Sequence, residues 1–146
     1  MLLSCNADGR YEFNPNNSKV LEKAFSILGD AYKKLNRGNR NSKMPYCIIS
    51  VSKIQDTCQC LYLDKQQCIT ISNELSEIKI HNIYIYDEKL ILFEYKRDFT
   101  PINDNTYFIG VCSNINMLEK GLDFTPQKTV KINDNIYSFI RSKASF

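Results

Sequence analysis

The chain contains 146 residues, of which 43% are hydrophobic and 24% charged, and it carries a formal net charge of +3. A chain of this length can bury roughly two thirds of its unfolded surface around one core. Its composition excludes an intrinsically disordered protein. Apolar runs are short compared with the roughly 18 residues that cross a bilayer, so we expect no membrane span. These properties predict a single domain over residues 1–146.

The chain has six cysteines: Cys5, Cys47, Cys58, Cys60, Cys68 and Cys112. The N-terminal residues have neither the charged stretch nor the apolar core of an export signal, so we expect a cytoplasmic protein. Free thiols are typical of that compartment, whereas an exported protein would pair its cysteines. The abundance of Asn, Ile and Lys, whose codons are AT-rich, indicates a low-GC origin. We therefore expect reduced cysteines.

One amphipathic helix is predicted near the start of the chain, over residues 19–36. Apolar residues recur there at spacings of three and four, which places them on one face of a helix. Asn17 or Ser18 can cap the first turn, and Gly38 lies where a helix commonly stops. The apolar face is expected to cover one side of the sheet that follows.

Beyond residue 45 the hydrophobic period changes to two, and β-branched and aromatic residues dominate, as they do in strands. Short polar links, such as 64–66 and 87–88, predict hairpins. The sequence thus predicts an α+β fold: an N-terminal amphipathic helix packed on a mostly antiparallel meander sheet, with a short second helix near 114–121. The predicted strands are 46–52, 58–63, 67–72, 77–86, 89–96 and 106–112, followed by a hairpin of 128–132 with 136–141.

Few residues suit catalysis or cofactor binding. His81 is the only histidine, which excludes His-rich zinc sites, and its place in a predicted strand favours a structural role. The five glycines are not spaced to hold a phosphate. Cys58, Cys60 and Cys68 would share one strand face and could begin a zinc site, but core packing also explains them. We expect no cofactor and no metal, with these three cysteines as the alternative ligands.

The segment 90–96, Leu-Ile-Leu-Phe-Glu-Tyr-Lys, is an apolar strand that ends in Glu-x-Lys. It locally resembles metal-dependent nucleases of the PD-(D/E)xK type, whose carboxylates hold a divalent ion while the Lys places the attacking water. The resemblance implies Glu94 and Lys96 as catalytic residues, with Asp87 at the preceding turn as a second carboxylate. A solvent-facing Glu and Lys on one strand face explains the pattern without catalysis.

A run of five cations without an acid consists of Lys33, Lys34, Arg37, Arg40 and Lys43. Such a run can bind the phosphates of nucleic acid or an acidic protein partner, and a solvated helix end is the other explanation. Insertion into a membrane is not expected, because the apolar face of the helix is needed to cover the sheet.

Tyr84 and Tyr86 lie two positions apart in a predicted strand and therefore share a face. An exposed pair of tyrosines suits a protein interface, and a second buried face of the sheet explains the pair equally well. We expect a small non-catalytic protein-interaction module, of inhibitor, immunity or accessory type, that docks through a sheet face or the basic loop. The alternative is a nucleic-acid-binding protein or a divergent metal-dependent nuclease.

Overall fold

The computed structural model describes residues 13–35, 43–58 and 61–144, and it confirms the predicted α+β class. The helices of this part of the chain are α1 (Ser18–Lys34), α2 (Lys65–Glu77) and α3 (Asn116–Lys120). Its strands are β1 (Cys47–Ser50), β2 (Asn82–Asp87), β3 (Leu90–Phe99), β4 (Asn103–Cys112), β5 (Gln127–Asn133) and β6 (Ile136–Ala144). Two 3₁₀ turns, Pro15–Asn17 and Val51–Asp56, precede α1 and follow β1.

The strands form one antiparallel sheet in the order β1-β2-β3-β4-β6-β5. Strands β1 to β4 lie side by side in chain order, as in the predicted meander. Strand β6 then pairs with β4, and β5 pairs with β6, so the predicted hairpin of 128–132 with 136–141 is confirmed. Among the strands of the described residues, β1 and β5 are therefore the two edges of the sheet.

Helix α1 packs on the sheet through the face that its periodicity predicts. Leu21, Leu28 and Tyr32 are buried on that face. A Cβ at Gly29 would lie 3.1 Å from the carbonyl oxygen of Glu88, so glycine allows the helix to approach the β2–β3 turn closely. The predicted helix is thus confirmed, while its proposed stop at Gly38 lies outside the described residues.

The predicted strands 58–63 and 67–72 are wrong, because this part of the chain forms α2 and its approach. Asp64, predicted to lie in a hairpin turn, is the N-cap of the helix. Its Oδ1 accepts the backbone N–H of Gln67 at 2.7 Å, and Gln67 Oε1 accepts the N–H of Asp64 at 3.1 Å. This reciprocal capping box begins a helix. The helix runs to Glu77, so the strand predicted from that residue begins only at Asn82.

Both faces of the sheet carry buried apolar side chains, as two packed layers require. The first face, covered by α1 and α2, includes Ile83, Ile85, Phe93 and Ile109. The second face, covered by α3 and the segment after it, includes Tyr84, Leu92, Phe108 and Phe139. Helix α3 is the short helix predicted near 114–121, and it stops at Gly121.

Candidate functional site

The structure places part of the predicted basic run beside β1. Lys33 and Lys34 lie in the last turn of α1, and Lys43 precedes β1; all three are exposed. Arg37 and Arg40 lie outside the described residues. Lys33, Lys34 and Lys43 therefore lie beside an edge strand of the sheet rather than across one of its faces.

A β-bulge in β3 separates the residues of the predicted nuclease site. The pairing of β3 with β4 shifts between Glu94 and Lys96, and the extra residue turns Lys96 onto the first face. There Lys96 Nζ lies 5.2 Å from the centre of the Tyr107 ring, whereas Glu94 faces the other way. Asp87 lies at the β2–β3 turn, where its Oδ1 accepts the N–H of Lys89 at 2.7 Å. The structure does not bring Glu94, Lys96 and Asp87 together.

Glu94 is instead the centre of a buried polar cluster on the second face. It is only 4% exposed. Asn82 Nδ2 donates to one of its carboxylate oxygens and the Tyr84 hydroxyl to the other, each at 3.0 Å. The guanidinium carbon of Arg141 lies 5.6 Å from the centre of the Tyr84 ring. Each carboxylate oxygen of Glu94 thus accepts a hydrogen bond, which explains why this side chain can be buried.

Tyr84 and Tyr86 do not form an exposed row. They are 6% and 0% exposed, and the hydroxyl of Tyr86 donates to Asp123 Oδ1 at 2.7 Å. Burial, and then the charge of Glu94, raise the pKa of Tyr84, while Arg141 opposes that rise. Of the two alternatives for this pair, the second buried face is the one observed, because α3 and the following segment cover it.

Cys58 and Cys68 form a disulfide, with their Cα atoms 6.0 Å apart. The expectation of free thiols is therefore wrong for this pair, because the first turn of α2 brings Cys68 to the end of the preceding 3₁₀ turn. Neither sulfur is available as a thiolate ligand, and Cys60 lies outside the described residues. Among the residues that the structure describes, no three His, Cys, Asp or Glu side chains converge as a metal site.

Cys47 and Cys112 are free thiols. Burial raises the pKa of each to about 11, so both remain protonated at neutral pH. A reactive cysteine requires a lowered pKa. Neither of these two thiols therefore has the lowered pKa of a reactive cysteine.

The β5 edge of the sheet is protected against pairing with another strand. The pairing of β5 with β6 shifts at two places, and Lys128 adopts a left-handed backbone with φ 52°. Lys128 and Lys131 also place charges along the strand. Bulges and lysines are common means of preventing edge-to-edge association.

The β1 edge lacks this protection. Its pairing with β2 is continuous from Cys47 to Ser50, and its four residues carry no charge. Val51 donates to the carbonyl of His81 at 2.9 Å, and ladder bonds alternate along antiparallel strands. Ile48 and Ser50 therefore present their N–H and C=O groups away from β2. Within the described residues, no strand pairs with β1 on that side.

Exposed apolar side chains accompany the open edge. Met44, Tyr46 and Ile48 are 59%, 39% and 57% exposed. The Tyr46 ring packs edge-on against Tyr32 of α1, with ring centres 5.5 Å apart, so the C-terminal end of α1 lies beside β1. The sequence indicated alternation here but not that this strand would be an edge, so these residues were missed as site candidates. We call Met44, Tyr46, Ile48 and the open backbone of β1 the β1 edge surface.

The chain segment that contains the β1 edge surface is rich in cations, although Lys33 is partly neutralised by Asp30, whose Oδ1 lies 3.8 Å from its Nζ. Between Ala31 and Gln55 there is no Asp or Glu, while the cations are Lys33, Lys34, Arg37, Arg40, Lys43 and Lys53. An exposed apolar strip with basic neighbours attracts an acidic partner more than a basic one.

No described helix combines the length and apolar character needed to cross a bilayer. No known family model, curated protein or solved structure matches this chain significantly.

Proposed function

We propose that the protein is an interaction module that binds an extended, acidic segment of another protein along the β1 edge surface. The observation that carries this proposal is the difference between the two edges of one sheet. Strand β5 has bulges and lysines that discourage pairing, whereas β1 has exposed apolar side chains and an uncharged ladder to which none of the described strands is added. An edge left in this state is a template for an added strand.

The expected complex follows from the chemistry of the edge. The added strand pairs with the outward N–H and C=O groups of Ile48 and Ser50. Its apolar side chains contact Met44, Tyr46 and Ile48, while its acidic side chains approach the lysines beside β1. Because β1 is only four residues long, the ladder is short, and the interaction belongs to the weak, transient class of interfaces.

The test uses short synthetic peptides that alternate valine with glutamate or with lysine, titrated into the ¹⁵N-labelled protein. We expect the acidic peptide to shift the amide signals of β1 and to bind at least about tenfold more tightly than the basic one. Ile48→Pro removes an outward N–H and leaves the bonds to β2 in place, so it should abolish binding. A preference for the basic peptide would contradict the proposal.

The matched control compares the two edges directly. Val130 on β5 is 46% exposed, close to the exposure of Ile48. Ile48→Ala should weaken binding of the acidic peptide, while Val130→Ala should leave it unchanged. Sedimentation of the protein alone tests whether a second copy of the chain occupies the edge. A dimer that Ile48→Pro dissociates would show that a second copy, and not an acidic partner, pairs with β1.

The nucleic-acid alternative draws on the same cations. Labelled DNA and RNA oligonucleotides, followed by fluorescence anisotropy at low and physiological salt, distinguish the two functions. Binding that falls steeply with salt and survives Ile48→Pro would favour phosphate contacts by the basic run. Absence of oligonucleotide binding, together with peptide binding at β1, supports the interaction module.

A further inference from the structure

A cavity of about 340 Å³ opens on the first face of the sheet, where three distant segments meet. Phe13 contributes from the approach to α1, Lys79 and His81 from the α2–β2 connection, and Tyr95 and Lys96 from the bulge of β3. This volume falls in the range of small-molecule sites. The aromatic rings of Phe13 and Tyr95 supply its apolar part.

Apart from the phenol of Tyr95, the ionisable side chains of this cavity are basic. Lys79, His81 and Lys96 line it, and none of its lining residues is an Asp or Glu. The charge of Lys96 is partly neutralised by Asp98, which does not line the cavity and whose Oδ2 lies 3.6 Å from Lys96 Nζ. Lys79 and His81 are exposed. The cavity therefore favours an anionic ligand.

A second cavity of about 340 Å³ adjoins the first through Lys79 and His81. Its lining also includes Ser50, Ser52 and Ser76, and the Oγ atoms of Ser50 and Ser52 share a 2.9 Å hydrogen bond. Lysine ammonium groups and serine hydroxyls are typical donors to phosphate oxygens. The two cavities thus offer an aromatic compartment on one side of Lys79 and His81 and a hydroxyl-lined compartment on the other.

The backbone of Lys79 is left-handed, as are those of Tyr62 and Lys128. Helix α2 ends in a Schellman motif, in which Ile80 donates to Leu75 and Lys79 donates to Ser76. Lys79 occupies the left-handed position of that motif with φ 66°, a position that glycine fills without strain.

We propose that these adjoining cavities bind a small phosphorylated ligand with a planar ring, of the nucleoside monophosphate class. The ring packs against Phe13 and Tyr95. The phosphate lies between Lys79 and His81, where the serine hydroxyls also reach it. This site shares Ser50 with β1 but uses its side chain rather than its outward backbone groups, and it requires no protein partner.

The test is calorimetric titration of the full chain with adenosine monophosphate, adenosine and inorganic phosphate. We expect saturable binding of the monophosphate with a Kd of about 1 mM or tighter, and at least about tenfold weaker binding of the other two. Equal affinity for inorganic phosphate, or for adenosine, would overturn the two-compartment site. So would the absence of saturable binding by the monophosphate.

Lys79→Gly separates a ligand role from a structural one. Glycine relieves the left-handed backbone, so the variant should unfold at a higher temperature than the wild type while its affinity for the monophosphate falls at least about tenfold. Lys128→Gly is the matched control, because Lys128 also has a positive φ but lies on β5, away from the cavities. It should gain stability and keep its affinity.

His81→Ala provides a second variant at the same site. This variant should bind the monophosphate more weakly. It should change the midpoint of thermal unfolding little, because the His81 side chain is exposed. Unchanged affinity in both Lys79→Gly and His81→Ala would overturn the proposal.

Discussion

The Tyr84 hydroxyl on β2 donates a 3.0 Å hydrogen bond to Glu94 on the neighbouring strand β3. Together with the amide of Asn82, it satisfies both oxygens of a carboxylate that is almost fully buried. Arg141 on β6 lies against the ring of the same tyrosine. The hydrogen bonds of Glu94 link β2 to β3, Arg141 adds a contact from β6, and the main effect of this cluster should be on stability.

Tyr84→Phe should lower the free energy of unfolding by about 1–3 kcal/mol, because it leaves one buried oxygen of Glu94 without its donor. Denaturant unfolding measures the change. Tyr137→Phe is the control, since the Tyr137 hydroxyl makes only a 3.4 Å contact with the carbonyl of Asp134. Equal losses in the two variants would contradict a special contribution from Glu94.

The same pair should affect stability in alkali. Burial and the charge of Glu94 raise the pKa of Tyr84 above its ordinary value of 10.0. A raised pKa in the folded state stabilises the fold below pH 10.0, and this contribution is lost as the pH rises through the folded value. Glu94→Gln should therefore lower the pKa of Tyr84. Ultraviolet difference titration of each protein against its Tyr84→Phe counterpart measures it, and an unchanged pKa would contradict the role of the charge.

Reduction of the Cys58–Cys68 disulfide should lower the free energy of unfolding by about 2–3 kcal/mol. The two cysteines are 10 residues apart, and the figure is the loss expected when a loop of that length is released in the unfolded chain. Guanidinium unfolding with and without a phosphine reductant measures it. The Cys58→Ser/Cys68→Ser double variant should match the reduced protein and no longer respond to reductant. A response that persists in the double variant would assign the effect to other cysteines.

Gly110→Ala should destabilise the second face by about 1–3 kcal/mol through overpacking. A Cβ there would lie 2.8 Å from Phe139 Cε1 and 3.2 Å from Leu118 Cδ2, both of which are buried. Gly121→Ala is the control, because Gly121 has an ordinary right-handed backbone with φ −96°. Thermal unfolding compares the stability of the two variants. Unchanged stability in Gly110→Ala would show that the α3 layer moves easily to accommodate the added methyl group.

Cys47 and Cys112 should react slowly with thiol reagents in the folded protein at neutral pH. Burial raises their pKa from 9.0 to about 11, so the folded state keeps them protonated. Their contribution to stability is present below pH 9.0 and is lost as the pH approaches about 11. Site-resolved alkylation followed by mass spectrometry, with denatured protein as the control, measures the difference. Rapid labelling of both sites in the folded protein would contradict the burial.

Local periodicity was sufficient to predict α1 and the C-terminal hairpin, because each follows one uninterrupted pattern. It failed at α2, where Ile69, Thr70 and Ile71 have strand propensity and Asp64 resembles a turn residue. The correct signal was the spacing of Asp64 and Gln67, which is that of a capping box. The disulfide was missed for a different reason, because free thiols were expected from the predicted cytoplasmic location rather than from the path of the chain.

The candidate sites depend on relationships that a linear pattern does not contain. Alternation predicted a strand around Ile48 but could not show that it ends the sheet, because edge position depends on how distant strands are ordered. The ligand cavity joins Phe13, Lys79 and Tyr95 from three separate segments. The sequence did indicate the basic character near β1, because that charge is local.

The bulge in β3 has the effect of a one-residue insertion in the strand. One additional residue, at Tyr95, decides which side of the sheet every later side chain of the strand occupies. Removing it would exchange the outer half of β3 between the two sides, taking Lys96 away from the cavity wall and Arg97 away from its two-bond contact with Asp104. A substitution in the outer half of β3 alters one face of the sheet by itself, whereas an insertion or deletion at Tyr95 alters both faces together.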